Sequence, residues 1–169
     1  MEPPRPSLGK KVGSVLLFLI GVPGILAAIL TLLPRVTVTV SDPVDPDNPF
    51  SASATVTNTG YIPLESVMPY VGLGGIRTTG GPPEEKGFKP IYIPKFRRKD
   101  WPVRDLGLDD KFTFSLNEIW SAQSLESADV GVWVDYEVPV LHWKREKLFP
   151  IVARKQTNGK LYWYAKTKE

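Results

Sequence analysis

Three aspartates, Asp42, Asp45 and Asp47, crowd one short segment of the chain. Carboxylate oxygens at such spacing are what hard cations such as calcium take as ligands. Pro43, Pro46 and Pro49 stiffen the segment, however, and it lacks the glycine-bearing twelve-residue calcium pattern, so a solvated turn is expected. Gly72-Leu73-Gly74-Gly75 has the backbone freedom of a phosphate-cradling loop. A P-loop also needs Gly-Lys-Ser/Thr at its end, whereas Ile76-Arg77-Thr78-Thr79 and then Gly80-Gly81-Pro82-Pro83 follow, which reads as a surface loop. His142 is the one histidine and stands beside Trp143 without a serine motif. The carboxylate pairs Glu84-Glu85 and Asp109-Asp110 are neighbours in sequence, and neighbours on a strand point to opposite faces. No catalytic, cofactor-binding or metal-ligating set is expected.

Binding chemistry is better represented. Lys95, Arg97, Arg98 and Lys99, followed by Asp100-Trp101, form the densest basic cluster after residue 34. Such a cluster can meet anionic headgroups, at about 1 kcal/mol per charge, or an acidic polymer or protein. A charged edge strand that discourages sheet-to-sheet association is the plainer reading. Trp101, Trp120, Trp133, Trp143 and Trp163 are many indoles for this length, and most should cover a core or a sheet rim. Trp133 alone is out of phase with the apolar positions around it, so it is the expected exposed or inter-element contact. The candidate binding surface is therefore Lys95, Arg97, Arg98, Lys99, Trp101 and Trp133.

These residues sit in a chain of uneven composition. Residues 1–11 are polar and proline-rich, residues 12–33 are almost wholly apolar, and residues 34–169 have a globular mixture. The last part carries 18 Lys plus Arg against 17 Asp plus Glu, so the net charge of +3 comes mainly from Arg5, Lys10 and Lys11. A nucleic-acid-binding domain would be strongly basic, and this one is balanced. There is no cysteine, which excludes disulfides, thiolate metal sites and a cysteine nucleophile.

The run VGSVLLFLIGVPGILAAILTLL over 12–33 has no charge. As a helix it would reach about 33 Å, enough to cross a hydrocarbon core of roughly 30 Å. It is longer than the hydrophobic region of a cleaved signal and ends Leu32-Leu33-Pro34 rather than at a small-x-small site, so an uncleaved signal anchor is expected. The basic residues before it predict a cytoplasmic N-terminus, with residues 34–169 exported. Gly24 and Ala28 form a small-xxx-small pair through which a second copy could pack.

Past the anchor, period-two alternation predicts strands. It runs through Val36–Val40, 50–57, 112–116 and 130–138, with further strands expected at 65–72, 88–93, 148–155 and 160–165. Asn158-Gly159 between the last two suits a tight hairpin. A helical turn fits only 117–125. About eight short strands joined by turns predict a mainly β protein: an immunoglobulin-like antiparallel β-sandwich preceded by one transmembrane helix.

Asp45-Pro46-Asp47-Asn48-Pro49-Phe50, then Thr55-Val56-Thr57-Asn58-Thr59-Gly60 and Pro63-Leu64-Glu65-Ser66-Val67, resemble the opening of bacterial immunoglobulin-like domains of the CARDB type. There a strand ends in Asn-x-Gly, whose glycine takes a conformation other residues resist. The resemblance covers residues 36–116 in pattern. The Phe-Thr-Phe strand, the Val-x-Val-x-Tyr strand and the aromatic hairpin further resemble small single-pass membrane-anchored bacterial proteins. The resemblance implies the fold and a bacterial envelope location, and no reaction. The expectation is a non-catalytic protein of the bacterial inner membrane, whose periplasmic or extracellular domain binds or scaffolds an envelope component. The alternative is a module for cell-wall carbohydrate or anionic lipid headgroups, using Arg97, Arg98 and Trp101.

Overall fold

Alternating apolar and polar side chains can satisfy both solvent and core only on an extended, pleated backbone. Among the described residues there are nine strands, several of them built on that principle: β1 Val36–Val40, β2 Ser53–Asn58, β3 Leu64–Thr78, β4 Ile93–Phe96, β5 Arg104–Leu106, β6 Lys111–Ser115, β7 Leu125–Val138, β8 Trp143–Lys155 and β9 Leu161–Ala165. The computed structural model describes residues 23–24, 33–78, 93–117, 125–139 and 142–166. The tail 1–11 and all of the predicted anchor but Pro23, Gly24 and Leu33 lie outside them, as do Ala28, Trp120 and most of the predicted helical turn. Among the described residues no helix is long and apolar enough to cross a membrane. Residues 34–169 form one compact unit and residues 1–33 another.

The mainly β expectation holds. β1, β2 and β6 make a three-stranded sheet in the order β1-β2-β6. A larger sheet runs β4-β3-β7-β8-β9, with β5 also paired to β3. Every pairing is antiparallel. Val56, Phe112 and Phe114 from the small sheet and Val71, Val132 and Val134 from the large one belong to a single buried cluster.

Several elements differ from the alternation. Phe50 does not begin a strand: Asn48 caps a 3-10 turn over Pro49–Ser51, and β2 starts at Ser53. Proline at 49 favours that turn over an extended start. The glycine segment 72–75 is not a surface loop but the middle of β3, where Gly72 pairs with Gly131 and a bulge falls between Leu73 and Gly75. Of the strand expected at 88–93, residues 88–92 lie outside the described residues, and β4 occupies Ile93–Phe96. β8 begins at Trp143, five residues before the expected start, because its first half is exposed and charged and so carries no apolar signal. The hairpin forms as expected: Gln156 N–H donates to the Lys160 carbonyl, and Gly159 takes φ +79°.

One buried polar residue ties the fold together. Asn58 is wholly buried at the end of β2. Its Nδ2 lies 2.9, 3.2 and 2.9 Å from the carbonyls of Ile62, Leu106 and Gly107, and its Oδ1 accepts the Gly60 N–H at 3.0 Å. Its backbone N–H donates to Asp110 and its carbonyl accepts from Asp109, while Thr59 N–H donates to the Arg35 carbonyl. These bonds gather the start of β1, the β2–β3 connection and the β5–β6 turn at one end. Glu65 and Val138, which pair with Glu137 and Trp143, bring the β7–β8 connection to that same end. We call it the proximal end, because residue 34 lies there.

Candidate functional site

In β3 and β7 the buried positions Val71, Val130, Val132 and Val134 turn inward, so the residues between them face away from the core. Register then decides which outward side chains meet. Tyr70 stands opposite Trp133, and Trp133 opposite Leu148 on β8. The next row is Gly72, Gly131 and Pro150; on the other side lies Met68, Asp135 and Glu146. Side chains directly opposite in antiparallel strands share a face within contact distance. The outer face of the large sheet thus carries an aromatic and aliphatic band, Tyr70–Trp133–Leu148, flanked on one side by glycine and on the other by charge.

Gly131 explains how the indole lies. A Cβ built there would sit 2.7 Å from two atoms of the Trp133 ring and 3.0 Å from Leu148 Cδ1. The missing side chain lets Trp133 lie back along its own strand instead of standing out from the sheet. Trp133 is half-buried and Leu148 exposed.

Lys95, from the edge strand β4, reaches over this face. Its Nζ is 3.0 and 3.2 Å from the two Asp135 oxygens, bonds Glu146, and lies 4.1 Å from the Tyr70 ring centre. Beside it an open cleft of about 380 Å³ is lined by Ser66, Met68, Asp135, Glu137, Lys144 and Glu146. Ser66, at φ 51°, donates its N–H to Asp105 and lies within the β3 bulge that opens the cleft.

Burial pushes the Lys95 ammonium down, but its hydrogen bonds to Glu146 and Asp135 more than offset this and leave its pKa raised. The same bond from Lys95 holds the Glu146 carboxyl below the usual carboxylate range. A depressed carboxyl stabilises the fold above its unfolded value, and that gain is lost as pH falls through the lower folded value. A raised ammonium stabilises below its unfolded value, and its gain is lost as pH rises through the folded one. The cluster therefore contributes between the ordinary values of 4.5 and 10.5. Because Glu146 is largely exposed, Lys95→Met should lower stability by less than about 1 kcal/mol at neutral pH. Urea unfolding in acid, below the carboxylate range, should show that difference closing towards zero.

The predicted basic surface does not converge. Lys95 turns to the sheet face, and Arg97 Nη2 donates to the Trp101 carbonyl at 2.6 Å. Arg98 forks onto both Asp100 oxygens at 2.9 and 3.0 Å, which holds the Asp100 carboxyl low. Lys99 is exposed. Trp101 is not a surface platform: only 5% exposed, it packs against Phe114 with ring centres 4.7 Å apart. Burial of the large ring area and the tilted contact with Phe114 both favour this interior position. Trp163, half-buried, packs against the core, meeting Phe50 edge-on and donating to the Pro49 carbonyl. The aspartate segment is organised by its own backbone, Asp45 Oδ1 accepting the Asp47 N–H and Ser51 Oγ accepting the Asp45 N–H. Gly24 is exposed, with nothing within 4 Å of a Cβ added there.

Of the expected surface, Arg97 meets Trp101 only through its backbone carbonyl, while Lys95 and Trp133 share the outer face of the large sheet, both beside Tyr70. Their partners Met68, Tyr70, Gly131 and Leu148 went unrecognised, and the one available sign was a glycine two positions before a tryptophan on an alternating strand. Comparison with protein-family models, curated proteins and solved structures finds no match for this chain.

Proposed function

We propose that the chain is a non-catalytic, membrane-anchored envelope protein whose exported immunoglobulin-like sandwich binds a protein partner through the Tyr70–Trp133–Leu148 band. The band itself carries the reading. It keeps an indole, a phenol ring and an exposed leucine on the solvent side of a sheet whose other face already holds the core. Aromatic side chains in a shallow apolar strip with charged neighbours are the usual anchors of protein interfaces. Gly131 costs strand propensity and leaves room for the ring, which makes sense where the ring is used.

The immunoglobulin-like assignment is supported by connectivity. Strands β1, β2 and β6 share one sheet and β3, β7 and β8 the other, the division between A, B, E and C, F, G strands. The CARDB-type resemblance of residues 36–116 points the same way, although the Gly60 that ends its Asn-x-Gly turn takes no positive φ. The anchor and the export of residues 34–169 rest on the uncharged run 12–33 and the three cations before it. The carbohydrate or lipid-headgroup alternative is less supported, since Trp101 is buried and Arg97 bonds the Trp101 carbonyl, which leaves it Arg98.

A photocrosslinking residue at position 148, in membranes of the cells that make the protein, tests the reading. One discrete adduct is expected at 148 and none at Val44, a highly exposed residue of the β1–β2 connection. Trp133→Ala should abolish the adduct, and Gly131→Ala should weaken it by tilting the indole. Adducts equal at both positions, or unchanged by Trp133→Ala, would count against an interface here.

A further inference from the structure

Three connections at the proximal end carry large apolar side chains into solvent. Tyr61, between β2 and β3, is 61% exposed; Leu108, between β5 and β6, is 54% exposed; Trp143, at the start of β8, is 43% exposed. They come from distant parts of the sequence and are brought to one end by the Asn58 bonds and by the β3–β7–β8 register. Arg145 stacks on Trp143 with its guanidinium carbon 3.3 Å from the ring centre. Lys147, two residues on, donates to the Val36 carbonyl at 3.0 Å and so fixes this part of β8 to the start of β1. In sequence the β7–β8 connection adds Pro139-Val140-Leu141-His142, again mostly apolar.

We infer that the proximal end of the sandwich docks onto the headgroup boundary of a lipid bilayer, with Tyr61, Leu108 and Trp143 as its anchors. The inference rests on the anchored reading proposed above. Only Pro34 and Arg35 separate the apolar run from β1, a link of at most about 7 Å when extended. A bilayer crossed by residues 12–33 is therefore within reach of this end. Tyrosine and tryptophan are the residues that settle at a membrane–water boundary, where a ring sits among glycerol and headgroup atoms and its polar tip stays wet. Arginine beside them can lay its stem on apolar surface and keep its charge in water.

Charge does not select the lipid. Arg35, Arg104, Lys111, Lys144, Arg145 and Lys147 at this end are nearly offset by Glu65, Asp105, Asp109, Asp110 and Glu137. Docking should therefore depend little on the anionic lipid fraction. That separates it from headgroup binding by the 95–99 cluster, which would require anionic lipid.

The absence of cysteine makes the test direct. Tyr61→Cys, Leu108→Cys and Val44→Cys each create one labelling site in the full-length chain, Val44 serving as the control at the opposite end. Each variant carries an environment-sensitive fluorophore and is reconstituted into phosphatidylcholine vesicles. Labels at 61 and 108 should emit blue-shifted light and lose most of it to lipids spin-labelled just below the headgroup. The label at 44 should emit as in water and stay unquenched. Adding phosphatidylglycerol should leave all three unchanged. If the chain floats with the vesicles while the labels at 61 and 108 match that at 44, docking is overturned and the anchor stands. A blue shift without lipid quenching overturns it too, in favour of a second copy covering this end. A chain that fails to float overturns the anchor and the docking together.

Discussion

Asn58→Ala should lower the unfolding free energy of the β domain by about 4 kcal/mol, a large share of the roughly 5–15 kcal/mol usual for a domain. The side chain is small, so lost apolar contact is not the cause. Its removal takes a two-proton donor away from the carbonyls of Ile62, Leu106 and Gly107, of which Gly107 keeps the Asp110 N–H, and leaves the Gly60 N–H without its acceptor. Each buried group left without a partner costs about 1–3 kcal/mol. Asn58→Asp sharpens the prediction. The replacement is nearly isosteric and still accepts from Gly60, yet it puts a carboxylate where an NH2 group faced carbonyl oxygens. It should be at least as damaging as alanine at neutral pH. Its deficit should shrink in acid, because protonation removes the charge and returns one donor. Urea unfolding of the full-length chain in micelles, followed by near-ultraviolet circular dichroism, measures both. If Asn58→Asp is as stable as the parent at neutral pH, this donor network does not hold the proximal end.

Trp101→Ala should cost about 4 kcal/mol, the usual range for deleting a large buried ring. Trp133→Ala should cost about 1 kcal/mol while removing the crosslink at position 148. The two tryptophans belong to different economies. Trp101 is 5% exposed against Phe114 in the shared cluster, so its loss leaves a cavity between the sheets. Trp133 lies on the outer face over Gly131, where water can replace it at modest cost. Unfolding and crosslinking measured on the same pair of variants separate the roles. Should Trp133→Ala destabilise as much as Trp101→Ala, the outer band would be a structural cover rather than a binding face.

Much of the fold was legible as pattern. β1, β6 and β7 alternate in the chain as they do in the structure, because each has one face in the core and one in water. The β8–β9 hairpin follows from Asn158-Gly159, since glycine accepts the positive φ a tight reversal requires. Where both faces of a strand are dressed alike, the pattern fails. The first half of β8 is almost continuously exposed, and its Trp-Lys-Arg-Glu-Lys run shows no alternation. The glycines of β3 looked like a loop because nothing in their own types reveals that a neighbouring strand will pair with them.

The sequence by itself determined that the chain is mainly β, that residues 34–169 carry nearly balanced charge and that there is no thiol. It also determined that Trp133 faces away from the core, because side-chain direction along a strand depends only on local parity. Tertiary structure alone decided which strands lie side by side. From that came the Tyr70–Trp133–Leu148 band, the burial of Trp101 and the gathering of Tyr61, Leu108 and Trp143 at one end. Register between distant strands is chosen by the packing of all the inward faces at once, and no short window of sequence contains that sum.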